Sequence, residues 1–224
     1  MHQARFVVML LWSLLAIGAV STAGGCSNKL AKDRNKIRLV NEAFWSEVAA
    51  KNGMKAVDML APRTMEFFDS LVTHVQKSGP ATLNKLSFFD RSMVLLIRNR
   101  MEPMQLRKLK TGKELGAWYF DGDFGMLEWK SFSLGTITIT NNSARAEFYS
   151  GNIRFIDYKL EFIEQVDGWK FDWLSLVGFI EGETKKRFGK AKITLEQENK
   201  FLLENEREVS TKNTSPAIWE APLK

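Results

Sequence analysis

One cysteine, Cys26, and two histidines, His2 and His74, are all that the 224 residues contain of the side chains that most often pair with each other or bind transition metals. An internal disulfide is therefore excluded, and a Cys/His metal cluster cannot be assembled within one chain. The 15 glycines form no phosphate-cradling motif, and there is no nucleophile elbow. A strong excess of one charge is also lacking. Lys and Arg number 32 against 26 Asp and Glu, so the net charge of +6 is a thin, even sprinkle that gives little attraction for a polyanion. No internal repeat or disorder-level bias appears, and a chain that is 45% hydrophobic at this length suits one globular domain with appendages. An uncharged apolar run occurs near the start, over residues 6–20, preceded by the single cation Arg5. It is shorter than the roughly 20 residues that cross a hydrocarbon core, so it reads as the h-region of a cleaved signal.

Small residues follow this run, ending in Ala23-Gly24-Gly25 directly before Cys26. This stretch resembles the lipobox of bacterial lipoproteins, with Ala23 where that pattern most often has leucine. The resemblance implies removal of residues 1–25, a diacylglycerol on the Cys26 thiol and acylation of the new amino group. Two or three chains anchor stably where one binds only reversibly. The alternative is an ordinary signal peptide that leaves Cys26 as a free thiol, a liability for an exported protein with no second cysteine. Ser27 is not the aspartate associated with inner-membrane retention, so in a cell with two membranes the expected place is the outer membrane, facing the periplasm.

Residues 26–35 read as a polar tether whose cations suit anionic headgroups. Ile37, Val40, Phe44 and Val48 then recur at helical spacing, with Asn52-Gly53 as the stop. Residues 54–60 give another turn or two, and Pro62 opens a helix carrying Met65, Phe68, Leu71, Val72 and Val75. Gly79-Pro80 ends it, and an apolar helix is expected over 88–101, before Pro103. Beyond Gly112 the period changes to two, predicting strands over 132–140, 144–149, 154–166 and 169–176. Asn141-Asn142-Ser143, Gly151-Asn152 and Asp167-Gly168 join them as hairpins. The apolar positions change parity beside Gly135, which predicts a bulge.

Helices followed by a bent antiparallel meander ending in Asp167-Gly168-Trp169-Lys170-Phe171-Asp172 resemble the nuclear transport factor 2-like superfamily. Phe44-Trp45, the 55–60 turn and Ala144-Arg145-Ala146 add to the likeness, which covers residues 36–180. It implies an α+β fold, a curved antiparallel sheet closing with the helices into a cone, and a cavity inside. Residues 181–224 lie outside it, with an amphipathic helix expected over 195–209 and a Pro/Trp tail in which Trp219 is a strap on its own domain or a peptide for another protein.

The expected cavity lining is Phe148, Ile156, Tyr158, Leu160, Phe162, Trp169, Phe171 and Trp173. Asp157, Lys159, Glu161, Arg145, Glu147, Lys170 and Asp172 gather on the other sheet face, as exposed cross-strand pairs do. The expected function is thus a non-enzymatic, membrane-anchored envelope lipoprotein that binds a protein partner or a small apolar ligand in a cone. Its alternative is a ketosteroid-isomerase-like or cyclase-like enzyme, with Tyr158 and an acid from the 114–129 stretch, where Asp121, Asp123 and Glu128 stand. No catalytic residue, cofactor, metal or nucleic acid is expected. A homodimer through the charged sheet face is an open arrangement. His74 reads as structural, Asp121-Gly122-Asp123 as a turn, and the cations Arg98, Arg100, Arg107, Lys108, Lys110, Lys113 and 185–187 as solvated surface.

Overall fold

The computed structural model describes residues 21–122 and 132–191, with positions 194, 197 and 220. The apolar leader, Asp123 and Glu128, most of the expected 195–209 helix and Trp219 lie outside the described residues.

Helix α1 (Ser21–Ala49) starts well before Ile37. Residues 26–35, expected as a tether, belong to this helix, and Arg34 bonds it to the sheet. Asp33 is buried and accepts from Lys36 Nζ at 3.2 Å. Arg34 Nε donates to the Ile137 carbonyl at 3.1 Å, and Arg38 donates to Leu134 and Gly135 at 2.6 and 2.8 Å. Asn41 donates to Phe132 at 2.8 Å, so two turns of the helix, from Arg34 to Asn41, are tied to β1 and the residue before it. Helix α2 (Gly53–Asp58) follows, then α3 (Pro62–Lys77), with Pro62 in a first turn that has no hydrogen bond to lose. After α4 (Pro80–Leu83) comes α5 (Phe88–Arg100), capped by Ser87 Oγ, which accepts from Asp90 N. Then α6 (Pro103–Lys108) leads into α7 (Gly112–Asp121), where Thr111 and Glu114 form a reciprocal capping box.

The sheet comprises β1 (Ser133–Thr140), β2 (Ser143–Ser150), β3 (Ile153–Arg154), β4 (Leu160–Gln165) and β5 (Gly168–Asp172), and α8 (Leu174–Ala191) follows. All strand pairs are antiparallel in the order β1-β2-β4-β5, with β3 on β2. The turns use positive φ at Asn141 (52°), Gly151 (57°) and Gly168 (126°). The bulge expected beside Gly135 is present as a register shift between Leu134 and Ile137.

This sheet is neither closed nor curled, so the expected nuclear transport factor 2-like cone is not the fold. The long strand expected over 154–166 breaks into β3 and β4, and the one expected over 169–176 ends at Asp172, with α8 beginning at Leu174. At one end of the sheet α1 holds β1. At the other, residues 59–61 pair with β5 through Ala61 N to Phe171 O and Phe171 N to Met59 O, both 2.8 Å.

Between helices and sheet the space is filled by rings. Phe68 stacks on Trp173 at 5.6 Å, Phe44 meets Phe120 at 5.3 Å and Phe171 at 5.1 Å, and Tyr119 meets Trp173 at 5.6 Å. Burial drives the Tyr119 pKa upward. Packing is close enough that a Cβ on Gly116 would lie 2.8 Å from Val57 Cγ1 and 3.4 Å from the Phe68 ring. The opposite face carries ion pairs. Arg145 lies across from Glu161 and bonds it at 3.0 Å, and Arg63 reaches the buried Asp172 at 2.6 Å. Asp172 Oδ1 also accepts from Thr64 Oγ1 at 3.0 Å and Leu174 N at 3.2 Å, joining α3, β5 and the first turn of α8.

Candidate docking groove

The break between β3 and β4 makes the most distinctive surface feature. Tyr149 pairs with Arg154 and Ala146 with Leu160, so residues 155–159 stand opposite only Glu147 and Phe148. The surplus residues bow outward. Phe155 stays anchored, with its N–H donating to the Phe148 carbonyl (3.2 Å) and its ring stacked on Phe148 at 4.9 Å. Ile156 is pushed out to 70% exposure, and Ile153 on β3 stands at 64%.

Helix α8 supplies the other wall. Phe179 contacts Phe155 at 4.7 Å, Tyr158 at 4.9 Å and Phe148 at 5.5 Å. Gly182 leaves room for the Tyr158 hydroxyl, which a Cβ there would displace. Between these walls lies a groove of about 510 Å³, with Phe155, Ile156, Phe179 and Ile180 as apolar lining and Arg154, Asp157 and Glu183 among its polar residues.

The loop is pinned from behind. Glu147 accepts from Arg154 at 2.6 Å and Lys159 at 3.1 Å, the residues that begin and end it. The Arg154 guanidinium, followed by the Lys159 ammonium, pulls the Glu147 carboxyl down to about 2, and Glu147 in turn raises Arg154. At the rim, Lys186 bonds Glu183 at 2.9 Å, approaches Asp157 at 3.9 Å and lies 5.1 Å above the Tyr158 ring. Glu183 first, then Tyr158, raise the Lys186 pKa.

No protein-family model, curated protein or solved structure matches the chain. Function must therefore be read from the geometry.

The structure divides the expected cavity residues. Phe148, Leu160, Phe162, Trp169, Phe171 and Trp173 are buried together in the core, whereas Ile156 and Tyr158 lie at the surface groove. The binding cone is thus corrected to a packed interior with an external groove, and the acid/base alternative loses its cavity as well. Asp157 beside Tyr158 has a side chain 78% exposed. Asp121 accepts from Gly53 N, and Glu114 closes its capping box. Neither is an acid poised in an enclosed site.

Other singled-out residues have local partners. His74 Nδ1 is 2.9 Å from Ser78 Oγ. Arg98 donates to the carbonyls of His74, Val75 and Ser78 at the end of α3; burial lowers its pKa to about 10 against the opposing pull of Glu220. Lys113 pairs with Asp58 at 2.6 Å, so the cations near 98–113 serve separate places. Among the described residues no group of three or more His, Cys, Asp or Glu is arranged to hold a metal, and no helix is long and apolar enough to cross a membrane.

Sequence reasoning missed Phe155, Phe179, Ile180, Gly182 and Glu183, and read Lys186 only as solvated surface. The signal for α8 was present: Trp173, Leu176, Val177 and Ile180 recur at helical spacing, with Asp172 ready to accept from the first turn.

Proposed function

We propose that the protein is a lipoprotein of the bacterial cell envelope, anchored through lipid on Cys26, whose packed α+β domain docks a protein partner at the groove between residues 155–159 and α8. The observation that carries the address is Ala23-Gly24-Gly25 before the one cysteine of the chain, after an uncharged apolar run. Acylation there gives a solitary exported thiol a use and converts the domain into a membrane-held module.

A protein suits the groove better than a small molecule. Exposed Ile153 extends the apolar area beyond the exposed Ile156 of the groove lining, and clustered apolar exposure beside a concavity is typical of protein-binding surfaces. The rim satisfies its own charges through Lys186 with Glu183 and Asp157, so it presents no field of one sign to attract an ionised ligand. The fitting occupant is a chain segment with a branched or aromatic side chain to lay on Phe155 and Phe179, flanked by polar residues that meet this mixed rim.

A photo-crosslinking side chain at position 156, compared with one at Met54, which is 51% exposed on α2, tests the reading in producing cells. The expected result is one discrete adduct from position 156, none from 54, and loss of the adduct when Ile153→Asp is added. Both protein and adduct should sediment with membranes and become soluble with Cys26→Ala. Equal labelling from both positions contradicts the docking site, and a wild-type protein in the soluble fraction contradicts the anchor.

A further inference from the structure

The groove and the start of α1 lie at opposite ends of the sheet. Successive bonds from Asn41 to Phe132, Arg38 to Leu134 and Gly135, and Arg34 to Ile137 show α1 running antiparallel to β1, so its N-terminal end points toward the β1–β2 turn at Asn141-Asn142. The β4–β5 turn is at the same end, because Ser143 pairs with Ile163 and Glu164 N donates to the Asn142 carbonyl. The groove instead flanks the far end of β2, where Tyr149 and Ser150 pair with β3. Along β2 that separation is about 24 Å at ~3.4 Å per residue.

The end toward which α1 points has its own apolar and cationic character. Val166, at the tip of the β4–β5 turn, is fully exposed, and Leu30 on α1 is 40% exposed. Lys29, Lys32 and Lys36 share one helix face by their spacing and are exposed. The acidic groups here are Asp33, bonded to Lys36, Asp167, bonded to Lys170 at 2.8 Å, and half-buried Glu164. Along a helix rising ~1.5 Å per residue Lys29 lies about 4.5 Å from Cys26, inside the ~8 Å screening length of physiological salt, and Lys32 about 9 Å, close to that length.

From these placements we infer that this end of the domain is a membrane-contact surface, which sets Val166 and Leu30 against an anionic phospholipid bilayer with Lys29 and Lys32 at its headgroups, and turns the groove away from the membrane. The inference rests on the lipid-anchor reading and deepens it. Between Cys26 and the first sheet-bonded residue, Arg34, the chain is helical, about 12 Å long, so the anchor meets the domain without a slack linker that would let it tumble.

The absence of any cysteine besides Cys26 makes the test direct. Mature lipidated Val166→Cys and Ile153→Cys proteins are labelled with an environment-sensitive thiol fluorophore and reconstituted in vesicles of phosphatidylethanolamine and phosphatidylglycerol. The label at 166 should be quenched several-fold less by aqueous iodide than the label at 153, and more by headgroup-labelled quencher lipid. Adding Lys29→Glu and Lys32→Glu should reduce that difference, as should vesicles without phosphatidylglycerol. Equal iodide access at both positions with Cys26 blocked by lipid overturns the orientation and leaves the anchor standing. Fluorophore on Cys26 itself, in protein from the native host, overturns the anchor and the orientation together.

Discussion

Replacing Phe68 by alanine probes whether the interior is filled, the feature that separates this fold from a ligand-holding cone. Phe68 is fully buried, with Phe67, Phe120, Tyr119 and Trp173 around it at centroid distances of 5.6, 5.9, 6.1 and 5.6 Å. Truncating a buried Phe to Ala costs about 3–5 kcal/mol, part lost transfer energy and part residual cavity. Ring-pair geometry adds to area burial, by ~0.5–1.5 kcal/mol per good pair, so a residue among four rings belongs near the upper figure. Total stabilities are about 5–15 kcal/mol, so the variant should lose a third or more of its margin. At roughly 2–4 °C per kcal/mol for a chain of this size, melting should fall by on the order of 10–20 °C. Urea unfolding followed by far-UV circular dichroism measures the loss directly, with Phe68→Leu expected to cost much less because it keeps most of the volume. A loss below about 1 kcal/mol for Phe68→Ala would mean that the interior can close or hydrate freely, and would refute the filled core.

Other consequences are testable in the same way. Asp172→Ala strips the shared acceptor from Arg63, Thr64 and Leu174 and should cost about 3 kcal/mol by urea unfolding, whereas loss of an exposed pair costs under ~1 kcal/mol. Arg38→Ala withdraws charged donors from the Leu134 and Gly135 carbonyls and should cost about 1.5–3 kcal/mol, with faster hydrogen exchange along β1. Folding depresses the Glu147 pKa to about 2, so its contribution is complete above the ordinary carboxyl value of ~4.3 and fades as pH falls through about 2. Glu147→Gln should therefore flatten the fall in urea midpoint over that acid interval; an unchanged slope would show that the Arg154–Glu147–Lys159 pinning contributes nothing.

How much of this was legible beforehand depended on whether the signal was local. Pro62 opening α3, the Asn141, Gly151 and Gly168 turns and the Gly135 bulge follow from backbone preferences of a few residues, and each is present. Alternation along 154–166 was misleading because Ile156 and Tyr158 keep the parity of Leu160 and Phe162 across a loop whose surplus residues only the pairing with β2 reveals. The cone failed for a related reason. Antiparallel hairpins after helices are compatible with several closures, and what holds the sheet open is non-local: arginines of α1 on β1, and residues 59–61 on β5. The polarity of residues 26–35 suits a tether as well as a helix, and the burial of Asp33 and the bond of Arg34 to β1, which decide for the helix, are tertiary. The groove was half visible, through Ile156 and Tyr158. Its second wall was hidden by extending the last strand through Leu174-Ser175-Leu176, although Leu176, Val177 and Ile180 carried helical periodicity.

The central claim, that Cys26 carries the lipid holding this domain at a membrane, is tested most directly by the intact mass of protein purified from the membrane fraction of its native host. The account predicts a chain beginning at Cys26 with the added mass of a diacylglycerol and a further acyl group, and no such species from Cys26→Ala. An unmodified Cys26, or a chain retaining residues 1–25, would contradict it.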